Sequence, residues 1–438
     1  MLKAGFARVE ITPHLGTYLT GYFEARYAEG VLDPLMVTAV VFDDGQKRAA
    51  IISCDLIGFN QVMMNDLRPM VAEAIGTEKE GVFICCTHTH LGPGLTVANQ
   101  GYNEEERPYI NWFMKKVCDA AVLAVQDLAP AKLSYARGEV KDVAFVRRFR
   151  MKDGTVRTNP GFLNPDIDHA LGTPDENSSV LIIKREGAPE IGIVNYQVHP
   201  DMIGGCTISA DFPKFVRDTY ETLIPNSRCM YINGAQGDTN HFDVTLDETK
   251  CRNGYDRSRY SGRKIAMSVV ANYELAVPLE GEKINYGQKS AFVKFNKGTA
   301  EELEDALRIN KLYLEGGSDA VAPASMGMAR TEIIAKARRI VNLKDMPDEK
   351  ELYLTAVSVG DFVVAGFPGE PFTDIGRGIK NNSKFTLTMP SCCANGYEGY
   401  YPMQSAFNEG GYEALTARYV AGTAEKLIET STEVVNAL

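Results

Sequence analysis

A chain of 438 residues, 45% of them hydrophobic, is large enough to bury a sizeable core, and single α/β enzyme domains reach this size. The formal net charge of −11, the pI near 5.2 and the lack of any basic run of five or six residues argue against nucleic acid or an anionic membrane as partners. No apolar run approaches the length of a membrane span, and the N-terminal MLKAGFARVEITP has no secretory h-region.

The nine cysteines are scattered or adjacent (Cys85–Cys86, Cys392–Cys393), with apolar neighbours and no C-x-x-C. Buried thiols in a reducing cytoplasm are expected, not a disulfide framework.

In chain order, strand-like runs at 37–44 and 48–55 flank the turn DDGQK. An amphipathic helix over 61–76 follows, with Met64, Leu67, Val71 and Ala74 near one face and Gly76 as its stop. The run GVFICCT is a strand, and 111–128 a second helix. A further strand pair surrounds EGAP, and 211–224 is a helix with Asp211 at its start. RCMYINGAQGD is a strand ending in glycines, and the segment from Gly254 is helical in its second half. Two charged amphipathic helices precede a hairpin around Gly360–Asp361. Hairpins mixed with crossovers predict one α/β domain over 1–438, with mixed β-sheets flanked by helices.

The run FICCTHTHLGPG carries an apolar strand into two histidines. A strand's period of two predicts that His88 and His90 share one side, at a sheet end where ligands bind in α/β folds. Imidazole suits zinc and similar metals, although two histidines in a turn are also simply hydrogen-bonded in many proteins. Four more strand ends carry polar residues in glycine-rich turns: His199 in VHPDMIGG; Asp238, Asn240 and His241 in NGAQGDTNHFD; Glu370 in FPGEPFT; and Tyr397, Tyr400 and Tyr401 in NGYEGYYP. Each has an ordinary structural reading, Glu370 as a helix-start charge and Asp238 as a turn residue. Five such ends together predict one shared cleft.

These motifs, with AGFARVEITP and TGY upstream, stand in the same order as in the neutral/alkaline (non-lysosomal) ceramidase family, and the chain resembles its N-terminal catalytic region over about Gly5 to Tyr412. The resemblance implies one zinc ion held by His88, His199, Glu370 and Tyr400, with Tyr397 the alternative tyrosine. It implies a hydrolase in which a zinc-polarised water attacks an amide. His90 then stands beside the metal, steadying the oxyanion or moving a proton. Arg147 in FVRRFR resembles an active-site arginine, though it also reads as a surface charge on a basic strand. Asp211 either orients a ligand histidine or caps its helix, the cap being favoured.

Three departures bear on substrate. Asn240 stands where the family has a serine, and asparagine hydrogen-bonds but is no acyl nucleophile; His241 replaces a proline and, with Tyr397, is a candidate substrate contact. No β-sandwich domain is expected after the tyrosine motif, and no amphipathic stretch suited to a membrane surface is evident. A small-molecule substrate smaller and more polar than ceramide is therefore expected. A metal-dependent lyase, isomerase or glycoside-modifying enzyme, and a non-catalytic binding protein, are the rival readings. Other H-x-H architectures fit less well: HTHLGP lacks the Asp and third His of a metallo-β-lactamase, and eight regular strand–helix units are not visible.

Overall fold

The computed structural model describes residues 1–95, 107–250 and 254–438. Eight strands build the larger sheet: β1 (Lys3–Glu10), β2 (Met36–Asp43), β3 (Arg48–Cys54), β4 (Val82–Cys86), β5 (Ala129–Glu139), β6 (Asn177–Arg185), β7 (Glu190–Tyr196) and β8 (Ser227–Asn233). Their spatial order is β8-β7-β6-β5-β1-β2-β3-β4, and the short strand Val277–Pro278 adds to β5. A second sheet contains β9 (Ile284–Lys294), β10 (Glu349–Val359), β11 (Phe362–Gly366) and β12 (Leu387–Ser391), in that order.

The two sheets pack face to face, and side-chain alternation decides what each strand contributes. Val40 and Phe42 of β2, Ile51 of β3 and Phe83 of β4 enter the layer between the sheets, against Val357, Phe362, Val364 and Met389. Their neighbours Val41, Ile52, Ile84 and Cys86 turn to the other face, under helices α1 (Gln61–Ile75) and α2 (Arg107–Gln126). Helices α3 (Phe212–Leu223) and α4 (Gly254–Val270) cover the β6–β8 end of that face. The outer face of the second sheet lies under α7 (Thr373–Asn382) and α8 (Thr423–Ala437). Strands covered on both faces read as continuous apolar runs, which is why VTAVVF and AAIISC show no alternation of polarity.

Local signals act where expected. Asn60 accepts the Met63 amide at 2.8 Å to start α1, and Gly76 ends it at φ 68°. Gly360, at φ 54°, makes the two-residue hairpin between β10 and β11. Asp211 caps α3 through the Phe212 amide, and its other oxygen accepts the Met202 amide at 2.9 Å. It orients no histidine by any of these bonds. Two boundaries differ: α2 runs Arg107–Gln126 where 111–128 was expected, and α4 is helical from Gly254, because Arg257, Ser258 and Ser261 are buried with Ile265 and extend the packed face toward the N-terminus. The two charged helices are α5 (Ala300–Val321) and α6 (Met328–Leu343), and α5 breaks at Gly316 and Gly317. Among the described residues every cysteine is a free thiol, six of them buried, and no helix is long and apolar enough to cross a membrane.

Three strand pairs are parallel, β3–β4, β7–β8 and β11–β12, while the other pairs within the two sheets are antiparallel. The C-terminal ends of β4, β7, β8, β11 and β12 carry all five motifs. The sheets are stitched together there: the Cys86 amide donates to Cys393 O at 3.3 Å, the Cys392 amide to Asn233 O at 3.0 Å and the Asn395 amide to Ile84 O at 2.7 Å.

Candidate metal centre

Strand β4 stops at Cys86, two residues before His88. The chain keeps pairing with the end of β3, through Thr87 N to Cys54 O and His88 N to Leu56 O, both 2.9 Å. His88 then turns to φ 75°, a conformation that disfavours an L side chain by about 1–2 kcal/mol. The expectation of a regular strand through His90 is thus corrected, yet the two rings still meet, with centroids 5.1 Å apart. The turn, not the strand period, aims them.

His199 joins from the end of β7, its ring 4.9 Å from that of His88 and 5.1 Å from that of His90. All three are buried, and one ring nitrogen from each lies within 4.8 Å of the others. The His88 ring is set by Nδ1, 2.7 Å from Ile57 O, which leaves Nε2 facing the cluster. Glu370 brings Oε2 to 3.3 Å from His88 Nε2 and 3.8 Å from His199 Nε2. Burial pushes the Glu370 carboxyl up, but the imidazoles outweigh it and hold it well below the usual carboxylate range. Burial, with the charges of Arg147 and of His88, pushes His199 and His90 well below the ordinary imidazole value. Two neutral imidazoles, a third ring held by a carbonyl and an ionised carboxylate form a donor set that fits a divalent metal such as zinc.

Glu370 pairs in parallel register with Tyr400, and its amide donates to Gly399 O at 2.8 Å. Tyr397 donates to Glu370 Oε1 at 2.6 Å and stacks on His88 with centroids 6.0 Å apart. Tyr400 lies beside Arg147, whose guanidinium carbon is 5.2 Å from the ring centroid. Burial and Glu370 raise both phenols well above their ordinary value; of the two, only Tyr400 has Arg147 opposing that rise. Close backbone approach demands glycine at two points: a Cβ on Gly237 would stand 2.5 Å from Glu370 O, and one on Gly58 would stand 2.7 Å from the Tyr397 ring.

Arg147 is buried, so its reading as a surface charge is overturned. Its Nε donates to Glu413 Oε1 at 2.6 Å and its Nη2 to Gly237 O at 2.7 Å, while Nη1 lies 3.5 Å from His199 Nδ1. Glu413 is wholly buried and also accepts the Thr158 hydroxyl at 2.8 Å. Asn240 and His241 take other partners: Asn240 Nδ2 donates to Asn159 Oδ1 at 2.7 Å, and His241 packs edge-on against Phe242. Asp238 accepts the Thr373 amide at 2.8 Å at the start of α7, a structural role.

Several positioning residues went unmarked at the sequence level. Asn233, fully buried, donates to Thr87 O at 3.2 Å and Val198 O at 3.3 Å, tying together the two histidine-bearing turns. Asp201 hydrogen-bonds the Tyr22 hydroxyl and lies 3.7 Å from His90 Nδ1. Arg26 donates to His90 O at 2.7 Å. Asn233 and Asp201 lie inside MYINGAQGD and VHPDMIGG, so their motifs were the available signal; Glu413 had none.

Burial first, and then repulsion from Glu413, raises Glu332 of α6 from an ordinary 4.5 to about 7. The folded chain therefore holds this proton where the unfolded chain has lost it, so stability falls as pH rises from about 4.5 to about 7 and the loss is complete above that. Glu332→Gln removes this slope. Discounted for partial solvent screening, the expected gain is about 1 kcal/mol at pH 8 and none near pH 4, read from urea denaturation at both.

No protein-family model and no curated protein matches the sequence. Among solved structures, the neutral ceramidase from Pseudomonas aeruginosa superimposes over 100% of this chain and 74% of its own, with a TM-score of 0.74 and 17% identity. A structure described as ceramidase complexed with C2 matches over 100% of this chain and 75% of its own, with a TM-score of 0.75 and 16% identity. The fold of this chain is that of the neutral ceramidase structures, as the motif order implied.

Proposed function

We propose that the chain is a zinc-dependent, ceramidase-like hydrolase that cleaves an amide C–N bond in a cytoplasmic small molecule more polar than ceramide. The observation that carries this reading is the convergence of His88, His90, His199 and Glu370, all buried, from three separate strand ends. The fold shared with neutral ceramidase supports hydrolysis over the rival chemistries. One zinc ion would be held by His88, His199, Glu370 and Tyr400. When bound, it lowers the pKa of a water toward about 7 and polarises a carbonyl.

The residues around it have separable tasks. Tyr397 orients the Glu370 carboxylate through its hydroxyl, leaving Oε2 toward the imidazoles. Arg147, held by Glu413, places a fixed cation beside Tyr400 and favours its ionised form. His90, neutral when buried, stands beside the metal ligands with Nε2 3.4 Å from His88 Nε2, to steady the developing oxyanion or move a proton. Asn240 offers no nucleophile, which favours direct attack by water over a covalent acyl intermediate.

The test is metal content together with a hydrolysis screen of short N-acyl compounds against N-acyl sphingoid bases. One zinc per chain and release of amine and acid from the short compounds are expected. A preference for the sphingoid bases would overturn the substrate argument, bound metal with an elimination or isomerisation product would favour a lyase or isomerase, and no metal would leave a binding protein.

A further inference from the structure

Beside the metal centre lies a cavity of about 310 Å³, within the range of small-molecule sites. Tyr397, Tyr400 and Tyr412 line it, as do Arg338, Arg339 and Arg418. Three arginines are an unexpected lining for a cavity that takes the acyl chain of a lipid amide.

Their existing partners do not neutralise them equally. Arg418 lies 3.6 Å from Glu398, and Glu398 also pairs with Lys350. Arg338 donates to the Tyr313 hydroxyl at 3.2 Å and sits over that ring, a neutral partner. Arg339 is 9% exposed, its Nε has no hydrogen-bond partner, and it makes no ion pair among the described residues. Glu302 is the acid that acts on it, and that carboxylate is engaged by Lys336 at 2.7 Å and by the Thr299 amide at 2.9 Å. A buried guanidinium with an unbonded Nε and only a shared carboxylate nearby is unfavourable, and guanidinium suits bidentate capture of an oxyanion.

We propose that this cavity is an anion subsite in which Arg339, flanked by Arg338 and Arg418, binds an acidic oxyanion group, a carboxylate in the first instance, on the substrate whose amide reaches the metal. This rests on the amide-hydrolase reading and narrows it to N-acyl compounds bearing an acid near the scissile bond. Helix α6 carries Arg338 and Arg339 and also packs over the loop bearing Tyr22 and Arg26, since Arg338 sits over Phe23. The same helix thus borders both the loop whose Arg26 holds the His90 carbonyl and the subsite.

The experiment compares N-acetyl amino acids with their C-terminal amides on the zinc-loaded protein. A charge-assisted hydrogen bond predicts at least about a 10-fold preference in kcat/KM for the acid. Arg339→Met should bring that ratio close to one, mainly through KM, while Arg339→Lys should retain much of it. In parallel, sulfate at constant ionic strength should raise the melting temperature of the wild type more than that of Arg339→Met. Cleavage of both substrates without preference by the wild type overturns the subsite and leaves the hydrolase reading standing. Equal loss of preference in the Met and Lys variants also overturns it, because packing and not charge would be responsible. Should the variants not fold, the wild-type ratio decides alone. Sulfate protection that depends on Arg339, with no amide cleaved, supports the subsite and overturns the hydrolase reading.

Discussion

His88→Ala is expected to abolish both metal retention and amide hydrolysis. His88 is the hub of the cluster: its Nε2 lies 3.4 Å from His90 Nε2 and 3.3 Å from Glu370 Oε2, and its Nδ1 is anchored on Ile57 O. Losing even the outer partner of a metal ligand typically lowers affinity 10- to 100-fold, so losing the ligand should lower it by more than about 100-fold. Zinc per chain should fall from one to near zero after dialysis, and turnover of short N-acyl compounds should fall to background. The variant also strips Glu370 of the largest influence that offsets its burial, so the carboxyl pKa should rise. His88 holds a positive φ that glycine would adopt with less strain. Wild-type zinc content and activity in the variant would remove the basis of the proposed function.

Arg217→Met should destabilise the chain by about 3–5 kcal/mol, the effect of breaking a buried ion pair on one side. Arg217 of α3 donates to both oxygens of Asp55, at 2.8 and 2.7 Å, and both residues are buried. Asp55 lies one residue beyond β3 and also accepts the Met36 amide at 3.0 Å and the Thr87 hydroxyl at 3.3 Å. Removing the guanidinium leaves that carboxylate charged in the core, directly under the turn that carries His88. Changing both partners, Asp55→Leu with Arg217→Met, should recover much of the loss, since no uncompensated charge remains. Urea denaturation measures both, and a single-variant loss below about 1 kcal/mol would show that Asp55 is otherwise neutralised. If zinc retention falls with Arg217→Met while the protein stays folded, the pair also positions His88.

The two predictions separate chemistry from scaffold, and the sequence was unequally informative about them. Apolar runs, caps and turn glycines announced β2, β3, α1, α3 and the β10–β11 hairpin, because those signals act within a few residues. The residues proposed as metal donors stand out in the sequence too, as histidines, a glutamate and tyrosines after apolar strands in glycine-rich turns. The α4 boundary was not, since Arg257 and Ser258 look solvated until a neighbouring helix buries them.

What the residue order settled alone was the repertoire: which segments are extended or helical, and which side chains with metal-binding chemistry sit at strand ends. Only the assembled sheets decided which of those side chains meet. Three parallel strand pairs bring their C-terminal ends to one place, and Asn233 and residues 392–395 lock the two sheets together there by hydrogen bonds spanning 159 to 311 positions of chain. The same packing turned Arg147 inward onto Glu413 and set Arg339 at a cavity with its Nε unbonded among the described residues. Burial and pairing of a charge depend on neighbours distant in the chain, so no local pattern of residues specifies them.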